Sequence, residues 1–365
     1  MKRLKLLTVV GTRPEIIRLS RVVPLADQHF DHMFVHTGQN YDPRLKDVFF
    51  SELGLRAPDK WLNVEGLSAG QQVGHFLHEV DRIIQDFQPD RFLVLGDTNS
   101  ALTTWSAKRR GVPVFHMEAG NRCFDDRVPE EINRRMIDQC SDVLLPYTQR
   151  SRENLIREGF RGDRIFVTGN PILEVFNHYN DAVESSKVLD ALDLRPGAYF
   201  LVTLHRAENV DGDERLLRFI DGFAQLFATY KRPLVLSVHP RTRARLSQLR
   251  LDAEVLSKRG IICSDPFGFF DFAKLEKNAF CVLTDSGTVQ EECCIFQIPN
   301  VTLRDVTERP ETLDVGSNVL SGSDPELLLQ SVELATQMDR GWKVPAEYEE
   351  TRVAAAVVHI LQSYW

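Results

Sequence analysis

Short apolar runs alternate with amphipathic stretches along the 365-residue chain. Leu4 to Val10 is nearly continuous in apolar character and ends at Gly11. Pro14 follows where a helix would begin, a position that suits proline because the missing N–H has no partner there. Comparable runs are Met33–His36, Phe92–Leu95, Val112–His116, Val143–Leu145 and Ile165–Val167. The second half repeats the pattern with Phe200–Leu204, Leu234–Val238, Ile261–Cys263, Cys281–Leu283 and Val301–Leu303. Between the runs lie helical periodicities. The clearest places Val73, Phe76, Leu77, Val80, Ile83, Ile84 and Phe87 on one face, with Pro89 as a stop. Runs without strict alternation suit strands buried on both faces of a parallel sheet. Two such series, at about 150 residues per domain, predict an α/β protein of two doubly wound, Rossmann-like domains. The expected domains are 1–170 and 171–350, with the break near Gly169–Pro171 and a final helix over 351–365 that returns to the first domain. Ligands of such folds sit beyond the carboxyl ends of the strands, which places the expected active site in the interdomain cleft.

Composition narrows the classes. The net charge of −8 argues against a nucleic-acid partner, which needs a basic face. No apolar run approaches the roughly 20 residues of a membrane span, and Met1 to Val10 lacks the form of a signal peptide, so a cytoplasmic protein is expected. The cysteines, Cys123, Cys140, Cys263, Cys281, Cys293 and Cys294, form no C-x-x-C pair, which suits reduced thiols rather than zinc ligands.

The chemistry-bearing residues fall just after predicted strands. In D-S-G-T-V-Q-E-E (Asp285–Glu292), Ser286, Gly287 and Thr288 open a helix whose N–H groups can hold a diphosphate, and Glu292 can accept from ribose hydroxyls. A Ser-Gly alone is a weak signal; its spacing from Glu292 strengthens it. Arg13, His205, Arg206, Arg241, Arg243 and Arg309 lie at strand ends or adjoining loops. Singly each is an ordinary surface cation, but together they suit a leaving diphosphate. Asp97, Glu118 and Glu130 lie on separate loops of the first half. Inverting a carbon calls for proton removal on one face and delivery on the other, and neighbouring carboxylates push one pKa toward neutrality. Glu130, after Pro129, is equally a good first-turn helix acid. No G-x-G-x-x-G, G-x-S-x-G or Walker A segment is present, and Asp211-Gly-Asp213 reads as a turn and cap.

The ordered segments G-T-R-P-E, G-D-T, H-M-E-A-G, P-E-E-x-N-R, H-R-x-E-N, D-S-G-x-x-Q-E-E and T-E-R-P-E resemble the non-hydrolysing UDP-N-acetylglucosamine 2-epimerase family nearly end to end. The resemblance implies a GT-B-like fold, no metal or other cofactor, and a homodimer. It implies Asp97, Glu118 and Glu130 as catalytic acids, His205 as the histidine near the diphosphate, and Arg13 as an active-site arginine. Arg18, Arg206, Phe272, Ser286, Gly287, Thr288, Glu292 and Arg309 are implied as contacts to the UDP-sugar, Phe272 beside the uracil. The implied reaction is anti elimination of UDP to a 2-acetamidoglycal and syn re-addition.

Three segments depart from the family pattern. Arg18 stands for a lysine, Ala119–Asp125 reads A-G-N-R-C-F-D, and Gln39–Pro43 replaces the Q-H-x-x-M segment tied to allosteric activation. With Val35–Asp42, the A-G-N-R-C-F-D form looks like the branch that forms UDP-N-acetyl-L-fucosamine from UDP-2-acetamido-2,6-dideoxy-L-talose for capsule or O-antigen. Cys123 and Phe124 would give the 6-methyl group a less polar wall. A UDP-N-acetylglucosamine 2-epimerase, a GT-B glycosyltransferase, a hydrolysing epimerase and a UDP-sugar sensor are the competing readings.

Overall fold

The computed structural model describes residues 3–39, 47–64 and 66–363. The chain divides into two compact units, one of Met1–His178 with Ala346–Trp365, the other of Tyr179–Pro345. The division falls inside the helix Ile172–Ser185, several residues beyond the expected break at 169–171.

The first unit is built on a six-stranded sheet of β1 (Lys5–Val10), β2 (Asp31–His36), β3 (Lys60–Trp61), β4 (Arg91–Leu95), β5 (Val114–Met117) and β6 (Val143–Leu145), in the order β3-β2-β1-β4-β5-β6. All its pairings are parallel. The apolar runs become strands because both faces are covered. Leu7, Val9, Phe92, Val94 and Val114 pack against Phe76, Val80, Ile83 and Ile84 of the helix Ala69–Phe87. Each such side chain contributes about 1.5–3 kcal/mol on burial. That helix starts at Ser68, which exchanges hydrogen bonds with Gln71 in a capping box, and ends at Gln88 in the left-handed region, just before the proline stop.

The helix Val353–Ser363 belongs to this unit, with Val353, Val357 and Leu361 buried, Leu361 O accepting from Arg91 and Ala354 N donating to Glu174. Ile165–Val167, expected as a strand, is corrected: it contributes one isolated bridge to Leu144, held by two hydrogen bonds to the outside of β6.

The second unit repeats the plan with β7 (Phe200–Thr203), β8 (Leu234–Ser237), β9 (Ile261–Ser264), β10 (Cys281–Thr284), β11 (Asn300–Thr302) and β12 (Asn318–Leu320), in the order β12-β11-β10-β7-β8-β9. All pairings are again parallel. Phe200, Val202, Leu234, Leu236 and Leu283 pack under Phe219, Ile220 and Phe223 of the helix Asp213–Tyr230. In both sheets the direction of winding reverses once, between β1 and β4 and between β7 and β10. The loops leaving those strands part there and open a crevice, the usual ligand position in doubly wound sheets. Among the described residues, no helix is long and apolar enough to cross a membrane.

Candidate active site

At the first switch point, Gly11-Thr12 leaves β1 and Gly96-Asp97-Thr98 leaves β4. One buried carboxylate ties the two loops. Glu15 Oε2 accepts from Gly11 N at 2.9 Å, Thr12 N at 2.6 Å and Thr12 Oγ1 at 2.8 Å, and its Oε1 accepts from Thr98 Oγ1 at 3.0 Å. Burial raises the Glu15 carboxyl to about 7, against the opposing pull of those hydrogen bonds. Gly11 must be bare, because a Cβ there would lie 1.9 Å from Ser100 Oγ. Arg13, the next residue, lies over the Phe49 ring at 5.3 Å.

Asp97 Oδ2 accepts from Arg134 at 2.6 and 3.1 Å, and Arg134 also holds Glu131 at 2.7 Å. Arg134 comes from the helix Pro129–Gln139, whose Asn133 donates to the Asp97 carbonyl at 3.0 Å. Glu130 sits in the first turn of that helix, half-buried, one turn before Arg134. Its neighbour Glu131, which the sequence reading passed over, is fully buried and accepts from the amides of Cys123 and Phe124 at 3.0 and 3.1 Å. Glu131 therefore shapes the 121–128 loop.

Glu118 follows β5 with φ of 68°, a left-handed conformation rare outside glycine and often kept where function requires it. Its carboxylate receives Arg18 Nη1 at 3.4 Å, Tyr147 Oη at 3.3 Å and Asn121 Nδ2 at 3.3 Å. Arg18 is thus buried beside Glu118, over the Tyr147 ring. Tyr147 was missed in the sequence, since only the β6 strand end brings it here. Behind Glu118, the fully buried Asp138 binds His116 Nδ1 at 2.8 Å, Arg122 Nη2 at 2.7 Å and Gly120 N at 3.2 Å. His116 Nε2 donates onward to Gly96 O at 2.9 Å, so the β4 and β5 ends are joined. The Cys123 thiol donates to Glu131 Oε2 at 3.3 Å, and burial pushes its pKa up to about 11. Phe124 stands 70% exposed with φ of 55°.

The second switch point has the same design with another acid. Asp285, at the end of β10 and fully buried, accepts from His205 N and Arg206 N at 2.9 Å each and from Asn209 Nδ2 at 3.1 Å. His205 Nδ1 lies 2.9 Å from its other oxygen. Burial opposes ionisation, but the charge and hydrogen bond of His205 and the two amides prevail and hold Asp285 below the usual carboxylate range. Asp285 was seen only as part of a motif; its role rests on contacts about 80 residues apart in sequence.

Ser286 precedes the helix Gly287–Phe296 and lies 3.0 Å from Thr288 Oγ1. A Cβ on Gly287 would meet Glu308 Oε1 at 2.5 Å. Glu308 is held by Arg304 at 2.7 Å and Arg206 at 3.3 Å. Arg309 is buried against Glu291, while Arg241 and Arg243 pair at the surface with Asp211 and Asp265. Phe272 is half-buried on the core of the helix Phe269–Lys277. Glu292 is buried at 7% exposure. Asn40–Pro43, part of the segments on which the allosteric and L-fucosamine readings drew, lies outside the described residues.

Two six-stranded parallel sheets, each with a clamped switch point, define a GT-B-like α/β protein. The model of the UDP-N-acetylglucosamine 2-epimerase family matches residues 25–362. A UDP-N-acetylglucosamine 2-epimerase of Methanocaldococcus jannaschii is 40% identical over 94% of this chain and 95% of its own. A crystal structure of the M. jannaschii UDP-GlcNAc 2-epimerase in complex with UDP-GlcNAc and UDP superposes with a TM-score of 0.94 at 39% identity, covering 98% of this chain and 99% of that one. A UDP-2,3-diacetamido-2,3-dideoxy-D-glucuronate 2-epimerase of Pseudomonas aeruginosa is 37% identical over 90% of this chain and 91% of its own. The chain belongs to the UDP-N-acetylglucosamine 2-epimerase family, and is an isomerase.

Proposed function

We propose that this enzyme inverts carbon 2 of a UDP-linked, N-acetylated sugar. The observation that carries the reading is the pair of carboxylates at neighbouring strand ends, each with its own cationic partner: Asp97 on Arg134 and Glu118 on Arg18. One carboxylate takes the carbon-2 proton, the bond from carbon 1 to the diphosphate oxygen breaks, and its electrons leave with UDP. A 2-acetamidoglycal remains. Protonation of carbon 2 from the other face and return of the UDP oxygen to carbon 1 give the epimer. Asp97, Glu118 and Glu130 supply acid–base groups, with Arg18 beside Glu118 and Arg13, just after β1, as a further active-site cation. His205, Arg206, Ser286, Gly287, Thr288, Glu292, Phe272 and Arg309 serve the nucleotide side. Charge leaving on the diphosphate is met by the helix start at Gly287 and by His205.

Within that class we propose UDP-2-acetamido-2,6-dideoxy-L-talose as the preferred substrate, giving UDP-N-acetyl-L-fucosamine for capsule or O-antigen. Phe124, exposed and in a left-handed conformation beside the acid cluster's loop, supports an apolar partner for a 6-methyl group. The names of the relatives favour a second reading, UDP-N-acetylglucosamine as substrate. Exposed Trp105, Ile132 and Met136 on two helices of the first unit support a homodimer, which sedimentation velocity would test. The six free thiols suit work in the cytoplasm.

The functional test separates chemistry from binding. Asp97→Asn and Glu118→Gln should each lower turnover by about 10²-fold or more, with UDP affinity by calorimetry nearly unchanged. Full turnover in both variants would remove the acid–base assignment.

A further inference from the structure

Behind Glu292 lies a second carboxyl that the epimerisation scheme does not use. Glu276, from the helix Phe269–Lys277, is 0% exposed. Its side chain is within hydrogen-bonding reach of Glu292. Oε1 accepts the Cys293 thiol at 3.3 Å, while Oε2 is buried without a donor. Lys277, on the same helix, points its ammonium to Glu184 and Asn180, 3.2 Å from each. Two carboxyl groups within hydrogen-bonding reach of each other share a proton rather than both ionising. Burial, and then the Glu292 charge, push the Glu276 carboxyl well above the usual range, so the proton stays on the deeper group.

We propose that Glu276 is a positioning residue for the nucleotide site: its carboxylic O–H donates to Glu292 and fixes that carboxylate to accept the ribose hydroxyls. The proposal rests on Glu292 being the ribose acceptor. A carboxylate at a helix turn otherwise has several rotamers, and a buried donor behind it selects one. The consequence is discrimination between ribose and deoxyribose, since a hydrogen bond to a charged acceptor is lost with the 2′-hydroxyl.

The test compares UDP with 2′-deoxy-UDP by titration calorimetry on the full chain. The wild-type protein should prefer UDP by about tenfold or more, the worth of one hydrogen bond to a charged group. Glu276→Gln, which retains an N–H donor, should keep that ratio. Glu276→Leu should bring it to within about threefold, with 2′-deoxy-UDP affinity held. A change in packing alone would weaken both ligands alike. Glu276→Met, closer in length, repeats the measurement should the leucine variant not fold. A wild-type ratio in the Leu or Met variant, or a ratio lost as fully in Gln as in Leu, overturns the proposal. Glu292→Ala is the separate arm: an intact ratio there overturns the reading of Glu292 itself, and the Glu276 proposal falls with it.

Discussion

Replacing Asp285 by Asn keeps the shape of the second switch point and removes its charge. In the native fold the carboxylate gathers two main-chain amides, the Asn209 amide and the His205 ring, at 2.9–3.1 Å, with no exposure to solvent. An asparagine oxygen can still accept from the His205 and Arg206 amides. Its NH₂ must then face His205 Nδ1, and the imidazole is forced to carry its proton on Nε2. Breaking a buried ion pair costs about 3–5 kcal/mol, and the retained amide contacts place this change near about 3 kcal/mol.

The pH dependence follows from the depressed pKa. The stabilisation by Asp285 is present above the carboxylate's unfolded value, near about 3.9, and is lost as pH falls toward the lower folded value. Urea unfolding of wild type and Asp285→Asn should therefore differ at about pH 7, with the gap narrowing below about pH 4. Turnover should fall by about 10³-fold, because the Asp285 charge that supports a positive His205 ring beside the leaving diphosphate is gone. Equal urea midpoints at neutral pH, or a gap that widens in acid, would refute this reasoning.

Gly120→Ala puts a methyl 2.3 Å from Ser151 O and 2.8 Å from Leu155 Cγ at φ of 79°, and should lower the melting temperature by about 5–10 °C in calorimetry. Gly159→Ala, with φ of 90° and open space around it, should cost only about 1 kcal/mol in the same experiment. Glu15 has the opposite sign to Asp285: its folded carboxyl, raised to about 7, stabilises below the unfolded value and loses that contribution as pH climbs from 4.5 to 7. Glu15→Gln should gain on the wild type by about 3 kcal/mol across that window in denaturant titrations at several pH values; a constant difference would count against it. Phe124→Ala should erase any preference for a 6-deoxy over a 6-hydroxy sugar, read as the ratio of kcat/KM, and an unchanged ratio removes Phe124 from substrate selection.

Apolar runs made the two sheets readable because parallel strands buried on both faces have no polar alternation to hide them. Two of the four edge strands escaped. Lys60–Trp61 is exposed and two residues long, and Asn318–Leu320 carries too little apolar pattern. Ile165–Val167 has the right composition but only one bridge of pairing. Polar loops just after strands pointed to Asp97, Glu118, His205 and Ser286. What sequence could not supply were the partners that orient them. Arg134 on Asp97, Tyr147 on Glu118 and Asp285 on His205 are contacts across 37, 29 and 80 residues. Glu130 and Glu131 are adjacent and equally acidic, and only the helix's rotation against the 121–128 loop shows which is buried.

The most direct test is proton NMR of the enzyme in D₂O, with UDP-2-acetamido-2,6-dideoxy-L-talose and UDP-N-acetylglucosamine in parallel. Deuterium should enter carbon 2 of the 6-deoxy sugar as its epimer accumulates. Exchange in UDP-N-acetylglucosamine alone would keep the epimerase chemistry and reject the substrate. No exchange in either would contradict carbon-2 epimerisation itself.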